Sequence, residues 1–134
     1  MTTVFIFKSN ALGAQYGIGT YIKELTEALL NYTSLKIYLV SYCCSECQEF
    51  ESEKISDKMF KINIPQPFQN ITDYEKFNDR YANVILYFLK PFFAKEKKIV
   101  LHSNCMDSIQ LMKKLKEKYP SFSLINVVHF SQWQ

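Results

Sequence analysis

Gly13-Ala14-Gln15-Tyr16-Gly17-Ile18-Gly19-Thr20 lies between a short apolar run and an amphipathic segment. Ahead of it, Thr3-Val4-Phe5-Ile6-Phe7 is β-branched and aromatic throughout and reads as a strand. Behind it, Ile18, Tyr21, Ile22, Leu25, Ala28 and Leu29 recur at helical period and form one apolar stripe. Strand, glycine loop and helix in this order open an α/β domain that handles nucleotides or phosphates. The rest of the chain reads as the remainder of the same sheet.

Glycines ahead of a helix let another molecule approach the backbone closely, and the helix start offers free N–H groups and the positive end of its dipole. The spacing here is G-x-x-x-G-x-G. It is not the G-x-G-x-x-G of dinucleotide folds, and no Lys follows as in a P-loop. The plainer reading of these glycines is that they turn the chain and pack the helix on the sheet.

A chain of 134 residues suits one domain with a real core. Its 48% hydrophobic and 22% charged residues are ordinary for a globular protein, and an aromatic share of 16% argues against disorder. The net charge of +3 permits an acidic ligand or membrane surface without requiring one. The N-terminus runs directly into a strand without the features of a leader, and the apolar window from Tyr81 to Phe93 is broken by Lys90 and Pro91. A cytoplasmic location follows as the expectation. Cys44-x-x-Cys47 could form half of a zinc site or a redox pair, but a zinc site needs a matching second pair. Cys43, Cys44, Cys47 and Cys105 therefore read as free thiols in a reducing compartment.

Further along, Leu35 to Val40, extendable to Tyr42, is a second strand, and Met59 to Ile64 a short third one closed by Pro65 and Pro67. Between them Cys43 to Lys58 is polar, acidic and without period, the expected irregular stretch. Thr72 or Asp73 caps a longer helix whose face is Tyr74, Phe77, Tyr81, Val84, Ile85 and Phe88, with Pro91 as its stop. Its later half is apolar almost all round, so it is either buried or offered to a partner, a membrane or a further domain, burial being the commoner outcome. Ile99-Val100-Leu101 is a fourth strand, fit to be covered on both faces. Asp107 begins a helix with Ile109, Met112, Leu115 and Tyr119 on one side. Lys113, Lys114, Lys116 and Lys118 at its far end read as a solvated face rather than a nucleic-acid patch. Pro120 ends it, and Phe122 to Val128 is a fifth strand. Alternating strands and helices give an open, parallel, Rossmann-like sheet of about five strands with helices on both faces.

Ligands of such sheets bind beyond the carboxyl ends of the strands, at the switch point. Three polar groups fall there: the glycine loop after strand one, His102-Ser103-Asn104 after strand four, and His129 after strand five. The two histidines of the chain occupy these positions. If strand one neighbours strand four and four neighbours five, all three groups line one rim. Read singly, either histidine is a hydrogen-bonded imidazole without catalytic work; together with the glycine loop they suggest a polar site. No G-x-S-x-G elbow, receiver-type acidic cluster or glycosidase carboxylate pair is present.

Gly17-Ile18-Gly19-Thr20-Tyr21-Ile22-Lys23-Glu24-Leu25 resembles the "G-I-G-R-Y-x-x-E-L" opening of GT-B glycosyltransferases of family 4. Lys98 to Asn104 resembles that family's "D-x-V-H-x-H" strand end, and Asn126 to Phe130 its "x-x-T-x-H-D" strand end. The resemblance implies transfer of a sugar from a nucleotide-sugar donor to a glycan or lipid-linked acceptor, with retention and without a metal or other cofactor. It implies that residues 1–134 are the N-terminal, acceptor-side half of a two-domain enzyme whose C-terminal donor domain lies outside this sequence, and that this half alone does not catalyse transfer. By position, Gly17, Gly19 and Thr20 would face the donor phosphates, His129 would contact the transferring sugar, and His102 and Asn104 would shape the acceptor pocket. Asn104 stands where many members carry a second His, and Phe130 where many carry Asp or Thr. The apolar helix and the basic helix end would allow peripheral contact with the inner face of a membrane. The readings set against this one are a stand-alone flavodoxin-like module binding a nucleotide or a protein, and a cysteine-based metal or redox protein.

Overall fold

The computed structural model describes residues 1–9, 17–44, 49–65, 74–104 and 109–127. In chain order the elements are β1 (Thr2–Ser9), α1 (Gly17–Tyr32), β2 (Lys36–Cys44), β3 (Glu51–Lys54), β4 (Met59–Pro65), α2 (Tyr74–Ala94), β5 (Lys98–Ser103), α3 (Ile109–Lys118) and β6 (Ser123–Asn126). The strands form one six-stranded sheet in the order β3-β4-β2-β1-β5-β6. All neighbours are parallel except β3, which runs antiparallel to β4. The fold is α/β with a Rossmann-like open sheet, as expected, and the parallel strands follow the Rossmann order. A flavodoxin sheet would instead place its first strand between the second and third.

Why β1 sits at the centre is written in its side chains. Val4 and Ile6 point to one face and Phe5 and Phe7 to the other, and all four are buried. On the first face, α1 lays Ile22 onto Val4, Ile6, Ile37 and Met59, with Tyr21, Leu25 and Leu29 half-buried beside them. Ala28, counted in the apolar stripe, is exposed. On the second face, α2 and α3 set Tyr81, Ile85, Leu89, Phe93, Leu111 and Leu115 on Phe5, Phe7, Val40, Ile62 and Leu101. The apolar later half of α2 is thus mainly buried, and its exposed stripe is Arg80, Asn83, Tyr87, Lys90, Pro91 and Ala94.

Three expectations need correction. Pro91 does not stop α2, which continues to Ala94. Proline deprives the carbonyl of Tyr87 of its helical partner, but both residues lie on the exposed side, where water can replace it, while Phe93 beyond remains anchored in the core. The segment read as irregular contains the end of β2 and the edge strand β3. Nothing in Glu51-Ser52-Glu53-Lys54 signals a strand; it forms because β4 offers an unpaired edge, with Glu53 opposite Lys61. Four exposed polar side chains then guard that edge against further pairing.

The lysine-rich end of α3 is only partly a solvated face. Lys114 pairs with Asp79 at 2.9 Å, and Lys116 donates to the carbonyls of Pro120 and Phe122, closing the turn into β6. A comparable device ends α1, whose last turn carries no basic residue. Lys58, from the β3–β4 turn, reaches over to the carbonyls of Leu30 and Thr33 at 3.1 and 2.6 Å. The caps expected at Thr72 or Asp73 and at Asp107 lie outside the described residues.

Candidate functional site

The β1→α1→β2 crossover leads to one side of β1, and α2 brings the chain back to the other side as β5. The switch point therefore lies between the carboxyl ends of β1 and β5, where an open sheet leaves a crevice. β1 ends there in Ser9 and β5 in Ser103, followed by Asn104, all three 1% exposed.

Asn104 ties the two strands together. Its Nδ2 lies 3.2 Å from the Phe7 carbonyl oxygen and 3.0 Å from Nδ1 of His102. His102, 7% exposed, stands in register with Ile6 of β1 and Ile125 of β6 and projects to the α1 face. There its ring lies against Tyr21, with centroids 6.4 Å apart and planes 26° from parallel. The first turns of α1 and the end of β5 thus share one corner of the rim. Thr20 is exposed and Gly19 half-buried in the same turns. A methyl group added to Gly19 would meet no atom within 4 Å, so packing does not demand glycine at that position.

Of the residues expected at the site, Gly17, Gly19, Thr20, His102 and Asn104 belong to elements converging on this rim. The neighbour relations on which one rim depended hold: β5 pairs with both β1 and β6. His129 and Gly13 lie outside the described residues. The amide of Val127 donates to the Ser103 carbonyl at 2.9 Å, which keeps the chain alongside β5 two residues before His129. Cys47 and Cys105 also fall outside the described residues. Among those described, no three His, Cys, Asp or Glu gather as a metal site, and no helix is long and apolar enough to cross a membrane. Nothing in the sequence marks Tyr21 beyond its apolar stripe and the resembling motif, or Ser9 beyond its place at a strand end. Their signal was positional: a ring in the first turns of the first helix, and a small polar residue closing an apolar strand.

Two other features frame the rim by contrast. A groove of about 360 Å³ lined by Met112, Lys113, Lys116, Glu117, Leu124 and Asn126 runs between α3 and β6. Leu124 shares the face of Leu101, opposite to His102, so the groove lies on the other side of the sheet. At the amino end of the strands, Glu96 accepts from Thr3 and Lys36, both at 2.8 Å, and from the Tyr38 hydroxyl at 3.2 Å. Burial alone would raise the Glu96 carboxyl, but the bonds from Lys36 and Thr3 outweigh it and hold it below its ordinary value. Burial alone would lower the Lys36 ammonium, yet Glu96 holds it above its own. Burial and then the Glu96 charge both push the Tyr38 hydroxyl up.

No family model matches this chain, and no curated protein matches it.

Proposed function

We propose that the chain is the acceptor-side domain of a retaining glycosyltransferase, which passes a sugar from a nucleotide-activated donor to a glycan or a lipid-linked acceptor. The observation that carries this reading is convergence. Two of the three stretches resembling family 4 glycosyltransferases, the start of α1 and the end of β5, meet at the switch point through Tyr21 and His102. The third begins at the end of β6, whose register with β5 brings Asn126 and Val127 to the same rim. In this reading Gly17, Gly19 and Thr20 offer backbone and hydroxyl donors towards the donor phosphates. His102 and Asn104 shape the acceptor pocket, and His129 contacts the transferring sugar. Donor recognition falls to a second domain, without a metal.

The native protein, isolated from its source cells with an antibody against this chain, tests the proposal directly. We expect a product roughly three times this size, with room for a second domain. It should transfer labelled sugar from one of a panel of nucleotide-sugars with retained anomeric configuration. His129→Ala should lower turnover at least tenfold while leaving the thermal transition in place. A native product of this length that consumes no nucleotide-sugar would replace the proposal with a binding module.

A further inference from the structure

Asn104 faces two atoms at once with the same end of its amide. The Phe7 carbonyl oxygen lies 3.2 Å from Nδ2 and His102 Nδ1 lies 3.0 Å from it. A carbonyl oxygen only accepts, so the end of the amide turned towards Phe7 is the NH2 end. Turning the amide over would set Oδ1 against the Phe7 oxygen, two acceptors with no hydrogen between them, at a residue 1% exposed. The backbone of β1 therefore fixes the orientation of the amide. One of its hydrogens goes to Phe7 and the other points at Nδ1 of His102. That nitrogen must then supply a lone pair, because a hydrogen on it would set two donors against each other. An imidazole with its lone pair on Nδ1 is neutral and carries its hydrogen on Nε2.

We infer that Asn104 is a positioning residue that selects the Nε2–H tautomer of His102, so that the ring presents a hydrogen-bond donor at Nε2 rather than a lone pair. Whatever that Nε2–H meets, within the fold or in a ligand, is then an acceptor with an available lone pair, such as a hydroxyl, carbonyl or phosphoryl oxygen. The state of the ring follows from hydrogen bonding within the fold; only the ligand consequence rests on reading the rim as a glycosyl-transfer site. Replacing Asn104 by an acid changes what His102 can do without touching the ring itself.

The test is nitrogen NMR on the 15N-labelled protein, about two units above the ordinary imidazole value of ~6.5 so that the ring is neutral. His102→Gln removes the signals that belong to His102 and so assigns them. We expect a pyridine-like Nδ1, a pyrrole-like Nε2 and a through-hydrogen-bond coupling between Asn104 Nδ2 and His102 Nδ1. Asn104→Asp offers only acceptors and should move the hydrogen to Nδ1, exchanging the two signatures. A pyrrole-like Nδ1 in the unmodified protein overturns the inference, as does a spectrum that Asn104→Asp leaves unchanged. Should that variant not fold, the spectrum of the unmodified protein decides alone. The measurement needs no ligand, so it succeeds or fails independently of the transfer assay.

Discussion

At the amino end of the sheet, an acid, a base and two hydroxyls are bound to one another through Glu96. At the carboxyl end, the Asn104 amide joins His102 to a backbone carbonyl of β1. The first cluster is partly buried and the second buried, and both cross between segments far apart in sequence. The amino-end cluster compensates its own charges, and its loss would be felt as stability. The carboxyl-end cluster holds a ring beside the first turns of α1, and under the proposed function its loss would be felt first as chemistry. In a parallel sheet this division has a cause. Strand ends on the carboxyl side converge on a crevice at the switch point, while those on the amino side only need to be closed.

Glu96→Ala should give the largest change. It strands Lys36, whose side chain is 21% exposed, so the expected loss is below the roughly 3–5 kcal/mol of a fully buried pair, at about 2–3 kcal/mol. Urea unfolding measures it, and a loss under about 0.5 kcal/mol would make the cluster a surface ion pair. Acid should reach the same interaction. The folded Glu96 carboxyl lies below its ordinary 4.5, so its contribution is present above that value and lost as pH falls through the lower folded one. Lys36 and Tyr38 are raised above 10.5 and 10.0, so their contributions are present below those values and lost as pH rises through the folded ones. Glu96→Gln should flatten both limbs of the stability–pH curve, whereas an unaltered acid limb would separate Glu96 from acid unfolding.

Asn104→Ala should cost less, about 1–2 kcal/mol, from a buried carbonyl and ring nitrogen left without the amide. A cost equal to that of Glu96→Ala would erase the contrast between the two ends. The smallest effect is expected at Gly19→Ala, which adds a methyl into open space within a helix and should stabilise by about 0.5 kcal/mol. Under the proposed function the same change should lower transfer, because the space beside α1 is where the donor phosphates would approach. Gain in both stability and turnover would remove this glycine from the site.

Much of the architecture was legible because period and composition agreed. Val4, Phe5, Ile6 and Phe7 could only serve a strand covered on two faces, and the α1 stripe could only face such a sheet. The rim residues His102 and Asn104 were legible for the same reason: they follow an apolar strand directly. The edge strand β3 was not legible, since Glu51-Ser52-Glu53-Lys54 acquires its conformation from β4. Nor was the role of Lys58, which caps a helix 25 residues or more behind it.

The sequence by itself determined the alternation of strands and helices, the apolar faces, and the polar residues closing the central strands, because each is set by side chains within a few positions of one another. Tertiary structure alone decided that β5 returns beside β1, that a proline is carried inside α2, and that one asparagine faces both a carbonyl and a histidine. Those outcomes depend on groups up to 97 positions apart, whose meeting no local pattern encodes.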